Sequence, residues 1–297
     1  MTPVCSVTPL RVGVGPAGIP PLSAQGDGAR ALRFTRRAEE LGYAALCVGD
    51  HLDGRGAPMA LLAAAASVTG RITLAAHVLC NEFRNPVVLA QEARTVQLIS
   101  SGRLELGLGT GWLEKDFAAA GVAMSGFGER LRRLERTVAV MRSGAVSSTV
   151  PLVLGGGGRQ MLTAAARLAD IVSVNIPLGR PRTVKQVGIG QGVREAFESR
   201  LTVVRESARA AGRSVSLHVY VHDVHLGPRW RDSAAAGAAR NGLSVEDYVT
   251  SPHVLAGDPA QVAETVLDRQ ARYGLHYFSI PGSALEEFGE VLHVLAG

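Results

Sequence analysis

The sequence predicts an α/β fold, a closed (β/α)8 barrel formed as a single domain by residues 1–297. Three observations carry that prediction. Short β-like runs alternate with helical runs along the chain, eight strand–helix units can be traced, and no change of composition divides them. A length of 297 residues suits one barrel. An open doubly wound sheet is the alternative that the same alternation allows.

The elements follow in order. Residues 10–15 (LRVGVG) read as the first strand, closed by Gly-Pro and Pro-Pro. A helix over 30–41 carries Leu32, Ala38 and Leu41 among charged residues and stops at Gly42. Residues 43–49 (YAALCVG) form a buried strand. Pro58 then opens an Ala-rich helix to 67, because Pro suits the first helical turn. Residues 72–79 are the third strand, 86–99 a Pro-initiated helix, and 104–108 the fourth strand. The stretch 129–142 is amphipathic, with Leu131, Leu134, Val138 and Met141 at helical spacing among five Arg and two Glu. Strand 152–154, four glycines and helix 160–169 come next, followed by strand 171–175, helix 194–211 and strand 215–224. A helical piece over 244–248 has Ser244 as its cap. Helix 259–273, strand 277–280 and helix 284–295 complete the series. Residues 179–192, with four Gly, read as a mobile loop above the barrel mouth, and 143–150 as a short connection.

Composition excludes several classes. The hydrophobic set is 46% and charged residues 19%, which is globular. Cys5, Cys47 and Cys80 are odd in number and lack metal spacing, so a reducing cytoplasm is expected rather than a disulfide framework. Lys115 and Lys185 are the only lysines, so 29 of the 31 basic residues are Arg, a bias expected of a GC-rich genome. The net charge is +5 with no run of five or six like charges, which points away from nucleic acid and suits a small anionic ligand. The start MTPVCSVTPL has no secretory pattern. The longest apolar run, 57–67, falls short of the ~18–20 residues that span a bilayer, so no membrane role is expected.

Barrel chemistry sits where strands end. After the second strand come Asp50 and His51. An acid beside a histidine can orient a proton donor; alternatively Asp50 caps a turn and His51 is simply exposed. His77, Val78, Cys80 and Asn81 lie at the end of the third strand as candidate pocket lining. GLGTGW (107–112) follows the fourth, where glycine lets a ligand approach the backbone; the third glycine of a dinucleotide fingerprint is missing. Gly155, Gly156, Gly157 and Gly158 run into a helix, and free N–H groups at a helix start bind anions, phosphate above all. Glu114 and Asp116 read as a helix start rather than a carboxylate dyad. His218, His222 and His225 suggest a metal, but strand alternation sets His225 on the opposite face, so no metal site is expected.

Taken together these residues resemble the luciferase-like monooxygenase superfamily, and within it the coenzyme F420-dependent oxidoreductases. The matching text is Gly49-Asp50-His51, NPVVLAQEARTVQLISSGRLELGLGTGW, RLRRLERTVAVMR, PLVLGGGGRQMLTAAARLADIVSVN and SPHVLAGDPAQVAETVLDRQARYGLHYFSI. The resemblance covers nearly the whole chain. It implies a barrel holding a reduced deazaflavin, or FMN, at its mouth. It implies that glycines 155–158 hold the cofactor phosphate and that His77-Val78 is a non-proline cis peptide against the ring. Cys80, Gly111, Trp112 and Asn175 would complete the cofactor site, and Asp50 and His51 would stand near the reacting atom. It also allows a homodimer.

Two departures stand out. Several relatives carry Glu where this chain has Trp112, and Trp transfers no proton, which disfavours sugar-phosphate dehydrogenation. Relatives also have a longer excursion where this chain has only SGAVSSTV. The expected function is hydride delivery from reduced F420 to an activated C=C or C=N bond of a small substrate, with His51 as proton donor and Asp50 orienting it. The alternatives are an FMN-dependent monooxygenase, and a barrel that binds a ligand or partner without redox chemistry.

Overall fold

Every barrel strand is short and apolar on the face it turns to its helices, and the eight close edge to edge. The computed structural model describes residues 9–15, 26–143, 150–176, 178 and 193–297. The expected loop at 179–192 lies outside the described residues, as does 144–149 of the short connection.

The barrel strands are β1 (Arg11–Val14), β2 (Ala45–Val48), β3 (Thr73–Cys80), β4 (Leu104–Gly109), β5 (Leu152–Gly156), β6 (Ile171–Val174), β7 (Ser216–Tyr220) and β10 (Leu275–Ile280). Their order around the closed barrel is β1-β10-β7-β6-β5-β4-β3-β2. All pairings are parallel, so every strand's C-terminal end reaches the same rim. Every residue of β2, β4 and β6 is buried, as expected of strands covered on both faces.

Around the strands run α1 (Asp27–Glu40), α2 (Pro58–Ala66), α3 (Pro86–Ile99), α4 (Glu114–Ala119), α5 (Phe127–Arg142), α6 (Arg159–Leu168), α7 (Val193–Ala210), α10 (Pro259–Tyr273) and α11 (Phe288–Ala296). Local chemistry sets their starts. The Asn85 side chain accepts from the Val87 amide at 2.9 Å at the head of α3. Asp258 and Gln261 form a reciprocal capping box at the head of α10.

The stretch 215–224 is not one strand. The barrel strand β7 ends at Tyr220, and β8 (Asp223–His225) leaves the barrel to pair with β9 (Val254–Ala256) in a separate two-stranded sheet. Helices α8 (Trp230–Asn241) and α9 (Val245–Thr250) pack beside it. Ser244 caps α9, accepting from the Asp247 amide at 3.0 Å. Residues 230–241 escaped the sequence reading because their small residues, Ala234–Ala239 among them, carry no apolar stripe. Among the described residues, no helix is long and apolar enough to cross a membrane.

Candidate functional site

Parallel closure brings His51 (after β2), Cys80 (end of β3), Trp112 (after β4), glycines 155–158 (end of β5), Asn175 (after β6) and His222 (after β7) to one rim. His51 Nδ1 lies 2.7 Å from Asp116 Oδ2 on the first turn of α4. The carboxylate is buried, while the imidazole is one-third exposed. Trp112 stands edge-on to the His51 ring at 6.0 Å and is 72% exposed.

The expected pairing of Asp50 with His51 is therefore corrected. Asp50 turns inward, where Arg84 grips both its oxygens, one at 2.8 Å, and the Cys80 amide donates to it at 2.8 Å. Its side chain is 3% exposed. Both residues lie in the loop beyond β2, where the two side chains take different partners. Asp50 braces the end of β3, and Asp116 faces His51.

The β3 strand bulges at His77 and Val78. Ala76 pairs with Leu106 and Leu79 with Leu108, leaving two residues of β3 against Gly107 alone. The peptide between His77 and Val78 is cis. The His77 imidazole is only 5% exposed although the residue as a whole is half-buried, so its backbone is what faces the mouth. The bulge fits because its neighbours are glycine. A Cβ on Gly107 would lie 2.2 Å from the Ala76 carbonyl oxygen and 2.9 Å from Val78 Cγ1. A Cβ on Gly111, whose φ is +73°, would lie 2.7 Å from Cys80 Sγ. Burial, with the Asp50 and Glu82 carboxylates nearby, pushes the Cys80 thiol up to about 11. It packs as a neutral group rather than a nucleophile.

One strand further round the barrel, beyond β4, lies the glycine run. A Cβ on Gly157 would sit 2.2 Å from the Asn175 carbonyl oxygen, and one on Gly156 2.6 Å from Met161 Cγ. Gly158, the residue before α6, has open space around it, and no side chain caps that helix. The first-turn N–H groups of α6 are thus left for an anion. Arg200 Nε donates to the Gly157 carbonyl at 3.0 Å and braces the turn. His222 Nε2 donates to Asn175 Oδ1 at 3.1 Å.

Below the rim the barrel interior is polar. Glu105 on β4 meets Arg11 on β1 at 3.0 Å and His77 Nε2 at 3.0 Å, the latter without hydrogen-bond alignment. Burial works against charge on His77, but Cys47 and Glu105 outweigh it and lift the imidazole to about 10. Burial also opposes charge on Glu105, yet His77 and Arg11 hold its carboxyl below the usual range. His218 behaves oppositely: burial first, then His77 and Arg11, keep it neutral. Its Nδ1 and Nε2 meet the Ser173 and Ser279 hydroxyls at 2.8 and 2.9 Å.

The three histidines of 218–225 are dispersed. His218 is in the barrel, His222 is at the rim, and His225 bonds Ser233 and Tyr248 beside β8. Among the described residues no group of His, Cys, Asp and Glu is placed to hold a metal. Asp116, Arg84 and the Arg11–Glu105 pair were missed as site components. Asp116 could have been found from its place one helical turn after Trp112. No local signal marks the others.

The family model of the luciferase-like monooxygenases matches residues 14–277. An F420-dependent glucose-6-phosphate dehydrogenase of Kribbella flavida is 33% identical over 214 residues, covering 65% of this chain and 63% of that protein. The enzyme of the same name from Amycolatopsis mediterranei is 32% identical over 213 residues, with the same shares. The chain thus spans less than two thirds of the length of these relatives. Among solved structures, the coenzyme F420 dependent tetrahydromethanopterin reductase of Methanopyrus kandleri superimposes with a TM-score of 0.71 at 18% identity, covering 97% of this chain and 99% of its own. The EDTA monooxygenase of Chelativorans sp. BNC1 superimposes with a TM-score of 0.73 at 17% identity, covering 97% and 94%. At such identities these likenesses show the fold. With a family model that spans the barrel from β1 to β10, the chain belongs to the luciferase-like monooxygenase family.

Proposed function

We propose that the protein is an F420-dependent oxidoreductase that reduces an activated C=C or C=N bond of a small substrate. The observation that carries the reading is the His51–Asp116 pair, set at the rim that also holds the glycine run. Relatives named as F420-dependent support the deazaflavin over FMN.

The residues fit such a cofactor. Gly155–Gly158 and the uncapped start of α6 would take its phosphate, in a turn packed so closely on Met161 and Asn175 that Gly156 and Gly157 have no room for a Cβ. Val78, Cys80, Gly111 and Trp112 would line the ring side, and Asn175, held by His222, the far side. When bound, the deazaflavin supplies a hydride; the chain's own residues manage the proton.

An ionised carboxylate only accepts hydrogen bonds. Asp116 therefore keeps a proton on His51 Nδ1 and turns Nε2 toward the mouth, where it makes no hydrogen bond among the described residues. Nε2 gives the proton to the substrate from the doubly protonated ring, which returns to the neutral form with its hydrogen on Nδ1. Trp112 adds an apolar wall and no second proton donor, which supports a substrate other than a sugar phosphate.

The test is a titration of purified protein with F420 and with FMN, followed by absorbance, then turnover of reduced F420 with a panel of enones and imines. Micromolar binding of F420 with substrate-dependent oxidation supports the reading. Binding of FMN alone, with substrate-dependent oxygen uptake, overturns it in favour of a monooxygenase.

A further inference from the structure

We infer that His222 is a positioning residue for the cofactor phosphate: it engages the side-chain oxygen of Asn175, so that the amide N–H donors face an anion at the glycine turn. This rests on the reading that a phosphate-bearing deazaflavin or flavin occupies the mouth.

Two histidine contacts join β6 to β7. Inside the barrel, Ser173 and His218 are register partners, and the Ser173 hydroxyl lies 2.8 Å from His218 Nδ1. Beyond the strand ends, at the rim, Asn175 and His222 make a second contact, 3.1 Å between Oδ1 and Nε2. The lower pair is buried, whereas Asn175 is exposed. The backbone of Asn175 is fixed against the glycine turn. Its amide donates to the Gly156 carbonyl at 3.0 Å, which carries the β5–β6 pairing one residue past β6. Its carbonyl oxygen lies so near Gly157 that a Cβ there would be 2.2 Å away. The next residue is held from behind, where the Ile176 amide donates to the fully buried His253 at 3.1 Å. With the backbone held on both sides, the freedom left to Asn175 is rotation of its side chain.

That rotation decides the chemistry. A primary amide accepts through its oxygen and donates through its nitrogen. Toward an anion, the nitrogen end attracts and the oxygen end repels. An amide oxygen cannot donate, so the contact with His222 places a hydrogen on Nε2 and engages Oδ1. The Nδ2 hydrogens make no hydrogen bond among the described residues. Asn175 lies against the turn that leads into α6, whose first N–H groups have no side-chain cap. An anion in that turn therefore receives donors from the helix start and from the Asn175 amide, and hydrogen bonds to a charged group are the strong ones. His222 touches no phosphate itself; it selects which end of the amide the phosphate meets.

The experiment is a fluorescence binding titration of the full chain with chromophores in pairs: F420 against its ribityl deazaflavin core without the phosphate, and FMN against riboflavin. His222→Leu should weaken the phosphate-bearing member about tenfold, the worth of a charge-assisted hydrogen bond, and the phosphate-free member by less than about twofold. His222→Gln should restore the wild-type affinity, because its amide nitrogen reaches the place of Nε2. Asn175→Asp sets a carboxylate toward the phosphate and should weaken the phosphate-bearing member more than about a hundredfold. Urea unfolding of the unliganded variants controls for the fold. Equal losses for both members of a pair in His222→Leu mark a purely structural contact and overturn the inference. Tighter binding of the phosphate-bearing member in His222→Leu, the signature of an amide oxygen turned to the mouth, overturns it as well. If the wild type binds neither F420 nor FMN, the cofactor reading itself falls.

Discussion

His51 and Asp116 are 65 residues apart in the chain and 2.7 Å apart at Nδ1 and Oδ2. That contact exists because the ends of β2 and β4 share a rim, and α4 starts close enough to return a carboxylate to it. His51→Ala should cut turnover about 10²–10⁴-fold, the worth of a positioned proton donor, while leaving cofactor binding within a fewfold of wild type. Asp116→Asn should lose a smaller part of that factor in kcat with KM little changed. Steady-state kinetics beside a binding titration separates the two effects.

Asp50 carries a different consequence. Its buried pair with Arg84 and its bond from the Cys80 amide hold the end of β3. Asp50→Ala leaves the Arg84 guanidinium largely buried and unpaired, so stability should fall by about 3–5 kcal/mol. Urea unfolding measures this. A loss below 1 kcal/mol would contradict the bracing role.

The glycine run offers a contrast between neighbours. Gly157→Ala forces a methyl onto the Asn175 carbonyl, with no flexible side chain to yield, and should cost about 1–3 kcal/mol and weaken cofactor binding. Gly158→Ala meets open space and should leave both nearly intact. Thermal melts with and without cofactor compare them.

Stability should fall on both sides of neutrality. Burial first, then His222, pushes His253 down to about 3. Its Nδ1 donates to the Tyr220 carbonyl at 2.7 Å and its Nε2 accepts from the Ile176 amide at 3.1 Å, an arrangement that needs the neutral ring. The unfolded chain protonates this histidine near 6.5. Its contribution is therefore intact above about 6.5 and lost as pH falls toward 3, by about 1.4 kcal/mol per pH unit. His77, lifted to about 10, works the other way: its contribution is full below about 6.5 and fades as pH rises toward 10. Urea unfolding at pH 5, 7 and 9 should show the maximum near 7, and His253→Gln should flatten the acid side.

One helix face bears on assembly. On α3, Val87, Val88, Leu98 and Ile99 are all at least half exposed, with Glu92 and Arg94 between them. Both signs of charge on one apolar face suit pairing with a second copy about a twofold axis. Light scattering is expected to give the mass of two chains for the wild type and of one for Val88→Arg with Leu98→Glu, with the melting temperature unchanged.

Much of the barrel was legible in the sequence. Helices at 86–99 and 259–273 could be placed to the residue because Pro86 and Pro259 mark their starts, and Gly274 marks the end of the second. Strand boundaries shifted by a residue or two, since fraying ends leave no mark. The break in 215–224 was not legible: His218, Tyr220, Val224 and their neighbours keep strand chemistry across it, and only the pairing of β8 with β9 reveals two strands.

By itself the sequence determined the alternation of strand and helix, the caps, and the glycines that clear space at the strand ends, because each depends on neighbours a few residues away. Tertiary structure decided which carboxylate meets His51, where Asp50 points, and that Arg11, Glu105 and His77 share one interior. Those pairings join residues from 28 to 94 positions apart. Linear spacing holds no trace of them, because barrel closure and the bulge at His77–Val78 set which side chains face one another.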